Sequence, residues 1–203
     1  MQFTEEEDKL INWLRQNYLN IILGLVIGFS FIGGYNYYNS SVMNTQHQIS
    51  LDYQEIIKLY QTDKFTDFKT KAHELVERDP QNIYSAMTNL YLAKYYHDSN
   101  QLDSASSSLS HILTNSTSQA HIYIASLRLA RINILEGDYV EAIEVLSSIN
   151  DSATDPIVLE LLGDIMLKQN DKIAAIKNYE LALSQNVTPN KAKLIESKLS
   201  TIR

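Results

Sequence analysis

An apolar run at residues 18–38 is the feature that most constrains the fold of this chain. No Lys, Arg, Asp or Glu occurs between Arg15 and Asp52. A helix of about 21 residues would be roughly 31 Å long, which matches the hydrocarbon core of a bilayer. Ten of its residues are Leu, Ile, Val or Phe, enough to favour insertion into a membrane over burial in a protein core. Residues 18–38 are therefore predicted to form a single transmembrane helix.

A cleaved signal peptide is the alternative interpretation of an N-terminal apolar run. Such a peptide begins with a positively charged segment, whereas residues 5–8 are all acidic. The run is also longer than the apolar part of a typical signal peptide. Tyr35, Tyr37 and Tyr38 follow where a cleavage site needs small residues. We therefore expect the span to be retained.

The basic residues around the span predict its orientation. Lys9 and Arg15 lie shortly before it, and the first basic residue after it is Lys58. Lys and Arg close to a span favour the cytoplasmic side, and acidic residues count for little. We expect residues 1–17 to form a short cytoplasmic or interfacial helix. The chain after residue 38 is expected on the other side of the membrane.

Two glycines within the span, Gly24 and Gly28, are candidate packing contacts with another membrane helix. Small residues four positions apart allow two helices to approach closely. Glycine is also frequent in membrane helices without a packing role, and this alternative stays open.

Composition and motifs argue against catalysis and nucleic-acid binding. The chain has no cysteine, which excludes disulfides, thiol nucleophiles and Cys-ligated metals. Residues 39–203 carry 15 basic and 20 acidic side chains, whereas a nucleic-acid-binding domain needs a clustered positive surface. The sequence has no nucleotide-binding loop or nucleophile elbow, and its five histidines are never three or four residues apart. We expect no enzyme, catalytic residue, cofactor or metal site.

The part of the chain after the span carries a helical repeat. Residues 39–60 have apolar positions at helical spacing and predict a juxtamembrane helix. Residues 61–203 contain units that resemble tetratricopeptide repeats, in which small residues allow two helices to cross closely. The units are marked by Leu129-Ala130, Gly137-Asp138-Tyr139 and Ala142; by Leu162-Gly163, Asn170-Asp171 and Ala175; more weakly by Leu92-Ala93, Asn100-Gln101-Leu102 and Ala105; and, in a degenerate form, by Ile56, Phe65, Phe68 and Leu75. The predicted fold is all-α, an α-solenoid of about three to four helical hairpins.

A C-terminal capping helix is predicted to cover the last hairpin. Pro189 suits the first turn of a helix that starts after Thr188. An apolar stripe faces the array, and basic residues are expected on the solvent side. The stripe consists of Ala192, Ile195, Leu199 and Ile202, and the basic residues are Lys191, Lys193, Lys198 and Arg203.

Repeat arrays of this kind present a concave groove lined by the first helix of each hairpin. The repeat register predicts a mixed apolar and charged surface there, suited to an extended peptide or to a helix or loop of a partner. The predicted groove residues are Lys94, His97, Leu127, Arg131, Ile134, Asp164 and Lys168. The carboxylate clamp of co-chaperone tetratricopeptide domains is not expected, because Leu90 holds the position of its first Lys and Lys94 that of its Asn.

Short motifs along essentially the whole chain resemble those of one known family. An acidic N-terminal segment precedes Gly-Leu-Val-Ile-Gly at residues 24–28, and an aromatic exit follows the span. The motifs continue, in order, as Tyr37-Tyr38-Asn39-Ser40, Leu90-Tyr-Leu-Ala93, Leu127-Arg-Leu-Ala-Arg131, Leu162-Gly-Asp164 and Val187-Thr-Pro189. The chain is similar to the YfgM family of ancillary subunits of the bacterial Sec translocon.

This resemblance implies a single inner-membrane span and a periplasmic tetratricopeptide-repeat domain. It also implies association with SecYEG and with PpiD, a membrane-anchored periplasmic chaperone, and contact with unfolded secretory polypeptides. Two other functions stay open from the sequence: a membrane-anchored import receptor with its repeats in the cytosol, and a scaffold for envelope assembly complexes. The charge distribution around the span disfavours the receptor, because its basic residues would follow the span.

Overall fold

The computed structural model describes residues 5–202, and every regular element in this range is a helix. Residues 1–4 of the predicted first segment and Arg203 of the predicted basic face lie outside it. The chain divides into two compact units, of which the first ends at Leu51 and the second begins at Asp52. The helices are α1 (Glu5–Gln61), α2 (Phe65–Arg78), α3 (Ile83–Asp98), α4 (Leu102–Asn115), α5 (Gln119–Glu136), α6 (Tyr139–Ser147), α7 (Pro156–Lys168), α8 (Lys172–Ser184) and α9 (Pro189–Ser200).

The long helix α1 contains the predicted span. Within residues 5–202 it is the one helix that is long and apolar enough to cross a membrane. An 18-residue window of it has a mean hydropathy of 1.7, and none of that window is buried. The largest apolar side chains of the predicted span are exposed, as a lipid-facing surface requires. Phe29 is 70% exposed and Phe31 is 76% exposed. Length and composition therefore support the predicted membrane helix.

The second unit is a succession of antiparallel helical hairpins. The end of α1 lies against α2, where Glu55 forms an ion pair with Lys71 and Asp52 forms one with Arg78. The helices α3 and α4, α5 and α6, and α7 and α8 form the following hairpins, and α9 packs on α8. The predicted all-α architecture of three to four hairpins with a C-terminal helix is confirmed.

The turn inside each hairpin has the same backbone geometry. A residue with positive φ follows the end of the first helix of each pair, and the next N–H donates to the carbonyl five residues earlier, as in a Schellman motif. The left-handed residues are Asp63 (57°), Asn100 (58°), Gly137 (88°) and Asn170 (63°). The hydrogen bonds join Lys64 to Leu59 (3.0 Å), Gln101 to Tyr96 (2.8 Å), Asp138 to Asn133 (2.8 Å) and Asp171 to Met166 (2.9 Å).

The small residues of the repeat lie where the paired helices cross. Ala130 on α5 and Ala142 on α6 are both fully buried and belong to one hydrophobic cluster. In the last hairpin the small residue is Gly163 on α7. A Cβ atom at this position would lie 2.5 Å from Cε1 of Tyr179, a fully buried ring on α8. The ring of Tyr179 therefore occupies the space that a larger residue at position 163 would need.

The core of the array consists of clusters that join neighbouring hairpins, and α5 contributes to two of them. One cluster joins α3, α4 and α5 and includes Leu109, Ile112 and Leu129. The next joins α5, α6 and α7 and includes Leu127 and Ile165. A further cluster joins α7, α8 and α9 through Leu159, Ala175, Tyr179, Ala182, Ile195 and Leu199.

Candidate protein-interaction groove

Two adjoining cavities follow the first helices of successive hairpins, and together they are called the groove here. The first cavity has a volume of about 220 Å³ and the second about 380 Å³. They share Arg131 and Leu135 on α5, so the surface is continuous from α3 to α9. The first is lined by Ala93, Lys94, His97, Leu109, Arg128, Arg131, Ile132 and Leu135. The second is lined by Arg131, Ile134, Leu135, Glu160, Leu161, Asp164, Lys191, Leu194 and Lys198.

The first cavity has an apolar floor and a cationic rim. Ala93, Leu109 and Ile132 are buried core residues whose surfaces form its floor. On the α3 side of the rim, Lys94 Nζ donates to Asp98 Oδ2 at 2.6 Å, one helical turn away. This hydrogen bond raises the pKa of Lys94 and lowers the pKa of Asp98. His97 Nδ1 lies 3.5 Å from the other oxygen of Asp98, so the Asp98 carboxylate contacts both Lys94 and His97.

The α5 side of the first cavity carries two arginines one turn apart. Arg131 Nη1 donates to the backbone oxygen of Leu127 at 3.4 Å, within its own helix. Neither Arg128 nor Arg131 forms an ion pair with any residue in the described part of the chain. Two guanidinium groups at an apolar cavity are therefore available to an anionic partner.

The second cavity is bordered by an ion-pair network that joins α7 to α9. Glu160 is only 4% exposed, and among the side chains that the structure describes it is the only buried Asp, Glu, Lys or Arg. Lys191 and Lys198 both donate to it, the latter at 2.7 Å. Burial raises the pKa of Glu160, but the hydrogen bonds from the two lysines outweigh this and leave it below the ordinary value. A buried carboxylate is thereby compensated by two cations.

Lys198 also connects this network to the core of the last hairpin. Its Nζ lies 2.7 Å from each oxygen of Asp164 and 5.8 Å from the ring centroid of Tyr179. The Tyr179 hydroxyl donates to Asp164 Oδ1 at 2.6 Å. Burial and this hydrogen bond raise the pKa of Tyr179, so it remains a neutral donor. The charged groups that α7 and α9 contribute to the second cavity are thus engaged within the fold.

The structure brings five of the seven predicted groove residues to the cavities. Lys94, His97 and Arg131 line the first, and Arg131, Ile134 and Asp164 line the second. Leu127 is instead 6% exposed and packs in the core cluster between α5, α6 and α7. Lys168 is exposed at the end of α7 and lines neither cavity.

The predicted membrane-helix contacts Gly24 and Gly28 lie in α1. A Cβ atom built at either position would meet no side chain of the described residues within 4 Å. Their surfaces are therefore open within this chain, and a contact with another membrane helix stays a prediction.

Among the charged residues that line the groove, the sequence does not predict Arg128 or Glu160, and it assigns Lys191 and Lys198 to the solvent side. The expectation that Lys191 and Lys198 are solvated is wrong, because the packing of α9 beside α7 places both against Glu160. Lys193 is exposed as expected. The spacing of these charges in the sequence could have indicated the ion-pair network. Lys191 and Lys198 lie two turns apart on one face of α9, and Glu160 and Asp164 lie one turn apart on one face of α7.

The described residues include no group of three or more His, Cys, Asp or Glu that could hold a metal ion. The groove combines an apolar floor and unpaired arginines at one end with a self-compensated ion-pair network at the other.

Comparison with known proteins finds relatives that align with the whole chain. A protein called ancillary SecYEG translocon subunit from Aggregatibacter actinomycetemcomitans is 26% identical over 206 aligned positions that cover all of both chains. The protein of that name from Escherichia coli K12 is 24% identical over all of this chain and 99% of the relative, and that from Neisseria gonorrhoeae is 21% identical over 98% of each.

These relatives confirm the resemblance to the YfgM family. The family model of the tetratricopeptide repeat-like domain matches residues 12–203, which include the apolar helix as well as the array of hairpins. The chain therefore belongs to the tetratricopeptide repeat-like domain family.

Proposed function

We propose that this chain is a non-enzymatic ancillary subunit of the Sec translocon. The observation that carries this proposal is the extent of the similarity. Relatives named as ancillary SecYEG translocon subunits align with the complete chain, apolar helix and repeat array together. An array that shared only its fold with these proteins would have no reason to share the preceding membrane segment.

The proposed arrangement follows the domains expected from the sequence. Residues 1–17 lie at the cytoplasmic side, residues 18–38 span the inner membrane, residues 39–60 continue as a juxtamembrane helix, and residues 61–203 form the periplasmic repeat domain. The groove contacts a membrane-anchored chaperone of the PpiD type, emerging secretory polypeptides, or both. Confinement beside the translocon raises the effective concentration of the groove, so that individually weak contacts suffice.

The orientation can be tested with protease added to spheroplasts. We expect residues 39–203 to be digested from outside, because Lys9 and Arg15 favour a cytoplasmic N-terminus. Immunodetection of a C-terminal tag measures the loss, and a known periplasmic protein serves as the control. Survival of the tag while that control is digested would place the repeat domain in the cytosol, as an import receptor requires.

The association with the translocon can be tested by photocrosslinking from the span in intact membranes. A photoreactive amino acid at Gly24 or Gly28 is expected to crosslink to SecY, SecE or SecG. The same group at Val26, about 200° around the helix and 56% exposed, is the matched control and is expected to crosslink less. Crosslinked products are identified by mass spectrometry.

The pattern of products separates the proposal from its alternatives. Equal crosslinking from all three positions would argue against a packing face at the glycines. Recovery of cell-wall enzymes without any translocon subunit would contradict the proposed function and favour an envelope scaffold.

A further inference from the structure

The charge on the rim of the first cavity differs in sign from the domain around it. Residues 39–203 carry five more acidic than basic side chains. The lining of the first cavity nevertheless includes Lys94, Arg128 and Arg131 together with His97 and, among the residues that the structure describes, no Asp or Glu. The acidic Asp98 beside it is engaged by Lys94 and His97. A positive rim in an acidic domain favours an anionic group at this place.

The two cavities are not equivalent in this respect. In the second, Lys191 and Lys198 are already paired with Glu160 and Asp164. In the first, Arg128 and Arg131 have no acidic partner within the described chain and lie on one face of α5, three residues apart. An acidic ligand is therefore directed to the first cavity, since binding there breaks no existing ion pair.

The lining beside these arginines favours an aliphatic group in the same ligand. Ala93, Leu109 and Ile132 form an apolar floor, and Leu135, which is 68% exposed, forms a wall next to Arg131. A free inorganic anion would leave this apolar surface in contact with water. A ligand with aliphatic side chains next to a carboxylate covers the floor and pairs with the guanidinium groups.

From this juxtaposition we infer that the first cavity, between α3, α4 and α5, binds a partner protein through a segment in which an Asp or Glu lies beside Leu, Ile or Val. This inference rests on the proposed function, because it specifies the chemistry of the protein segment that the groove contacts. Guanidinium groups bind carboxylates through two parallel hydrogen bonds, which gives the site a preference for Asp and Glu over neutral amides.

The test uses the full chain in detergent and a fluorescein-labelled peptide in which glutamates alternate with leucines and whose C-terminus is amidated. Fluorescence anisotropy measures the dissociation constant. We expect the peptide with glutamine in place of glutamate to bind about tenfold more weakly, and the peptide with lysine more weakly still. The protein variants Arg128→Gln and Arg131→Gln are each expected to reduce the affinity for the glutamate peptide and to remove its preference over the glutamine peptide.

Matched controls separate this site from general electrostatic attraction. Lys177→Gln removes one positive charge from an exposed position on α8 and is expected to leave binding unchanged. Circular dichroism verifies that each variant is folded; both arginine positions are exposed, so their replacement leaves the core intact. Equal affinity for the glutamate, glutamine and lysine peptides would overturn the inference, as would binding that both arginine variants retain in full.

Two other occupants have their own signatures in the same assay. Displacement of the peptide by dihexanoyl phosphatidylglycerol but not by dihexanoyl phosphatidylcholine would assign the cavity to lipid headgroups and overturn the inference. Loss of peptide binding as the protein concentration rises would assign the cavity to a second copy of this chain and would also overturn the inference. Crosslinking from Gly24 and Gly28 does not depend on peptide binding, so the proposed translocon association and this inference can fail separately.

Discussion

Replacement of Gly163 by valine is expected to lower the free energy of unfolding of the repeat array by about 3 kcal/mol, the upper end of the usual cost of overpacking. Even the first added carbon would lie 2.5 Å from Cε1 and 2.7 Å from Cδ1 of Tyr179. The ring cannot swing aside at low cost, because it is fully buried and its hydroxyl is held by Asp164. The helices α7 and α8 must therefore move apart. Urea unfolding of the full chain in detergent, followed by circular dichroism, measures the change.

A matched substitution and a compensating one test this explanation. Lys168→Val introduces the same side chain at an exposed position of the same helix and is expected to change stability by at most about 0.5 kcal/mol. Tyr179→Leu removes the ring and should make a simultaneous Gly163→Val less costly than it is alone. Strictly additive effects in the double variant would show that the contact between positions 163 and 179 is not the cause.

Replacement of Lys198 by methionine is expected to destabilise the array by about 2 kcal/mol, less than for a fully buried ion pair because Lys198 is partly exposed. Its ammonium group is the only one within hydrogen-bond distance of both Glu160 and Asp164 in the described structure. Without it, buried Glu160 keeps only Lys191 as a cationic partner, and Asp164 keeps the Tyr179 hydroxyl. Lys193→Met on the exposed face of α9 is the matched control and is expected to be nearly neutral.

The cost of losing Lys198 should decrease as the pH falls. The pKa of Glu160 is lowered in the folded protein, so its ion pairs stabilise the fold fully above the unfolded-state pKa of about 4.3. This contribution is lost as the pH falls through the lower, folded-state pKa. The unfolding curves of the original chain and Lys198→Met should therefore converge in acid. A difference that stays constant from neutral pH to about pH 3 would contradict an ionic origin.

The sequence allowed the helices and their order to be predicted because those properties are local. The uncharged run at residues 18–38 is long enough to predict a membrane helix from sequence alone. Asn100, Gly137 and Asn170 indicate three of the turns, and all three have the left-handed backbone conformation. The degenerate first hairpin was harder to identify, since Phe68 replaces the small residue found in the others. Its turn at Asp63 nevertheless has the same backbone conformation.

The groove was less predictable because it depends on how far each helix is rotated about its axis. Of the groove residues predicted on α5, Arg131 and Ile134 line the second cavity, whereas Leu127 packs in the core cluster between α5, α6 and α7. The two lysines of α9 were assigned to solvent because no local pattern reveals which neighbour a capping helix meets. Only the packing of α9 beside α7 places them against Glu160.

The division of the core between neighbouring helices has a consequence for how this molecule can open. The helix α5 contributes Leu129 to one cluster and Leu127 to the next, and in the described structure each of these clusters joins neighbouring hairpins. Local unfolding can then start at α9 and advance through α8 while the cluster beneath Arg128 stays intact. The C-terminal helices can thus unfold locally while the first cavity keeps its shape.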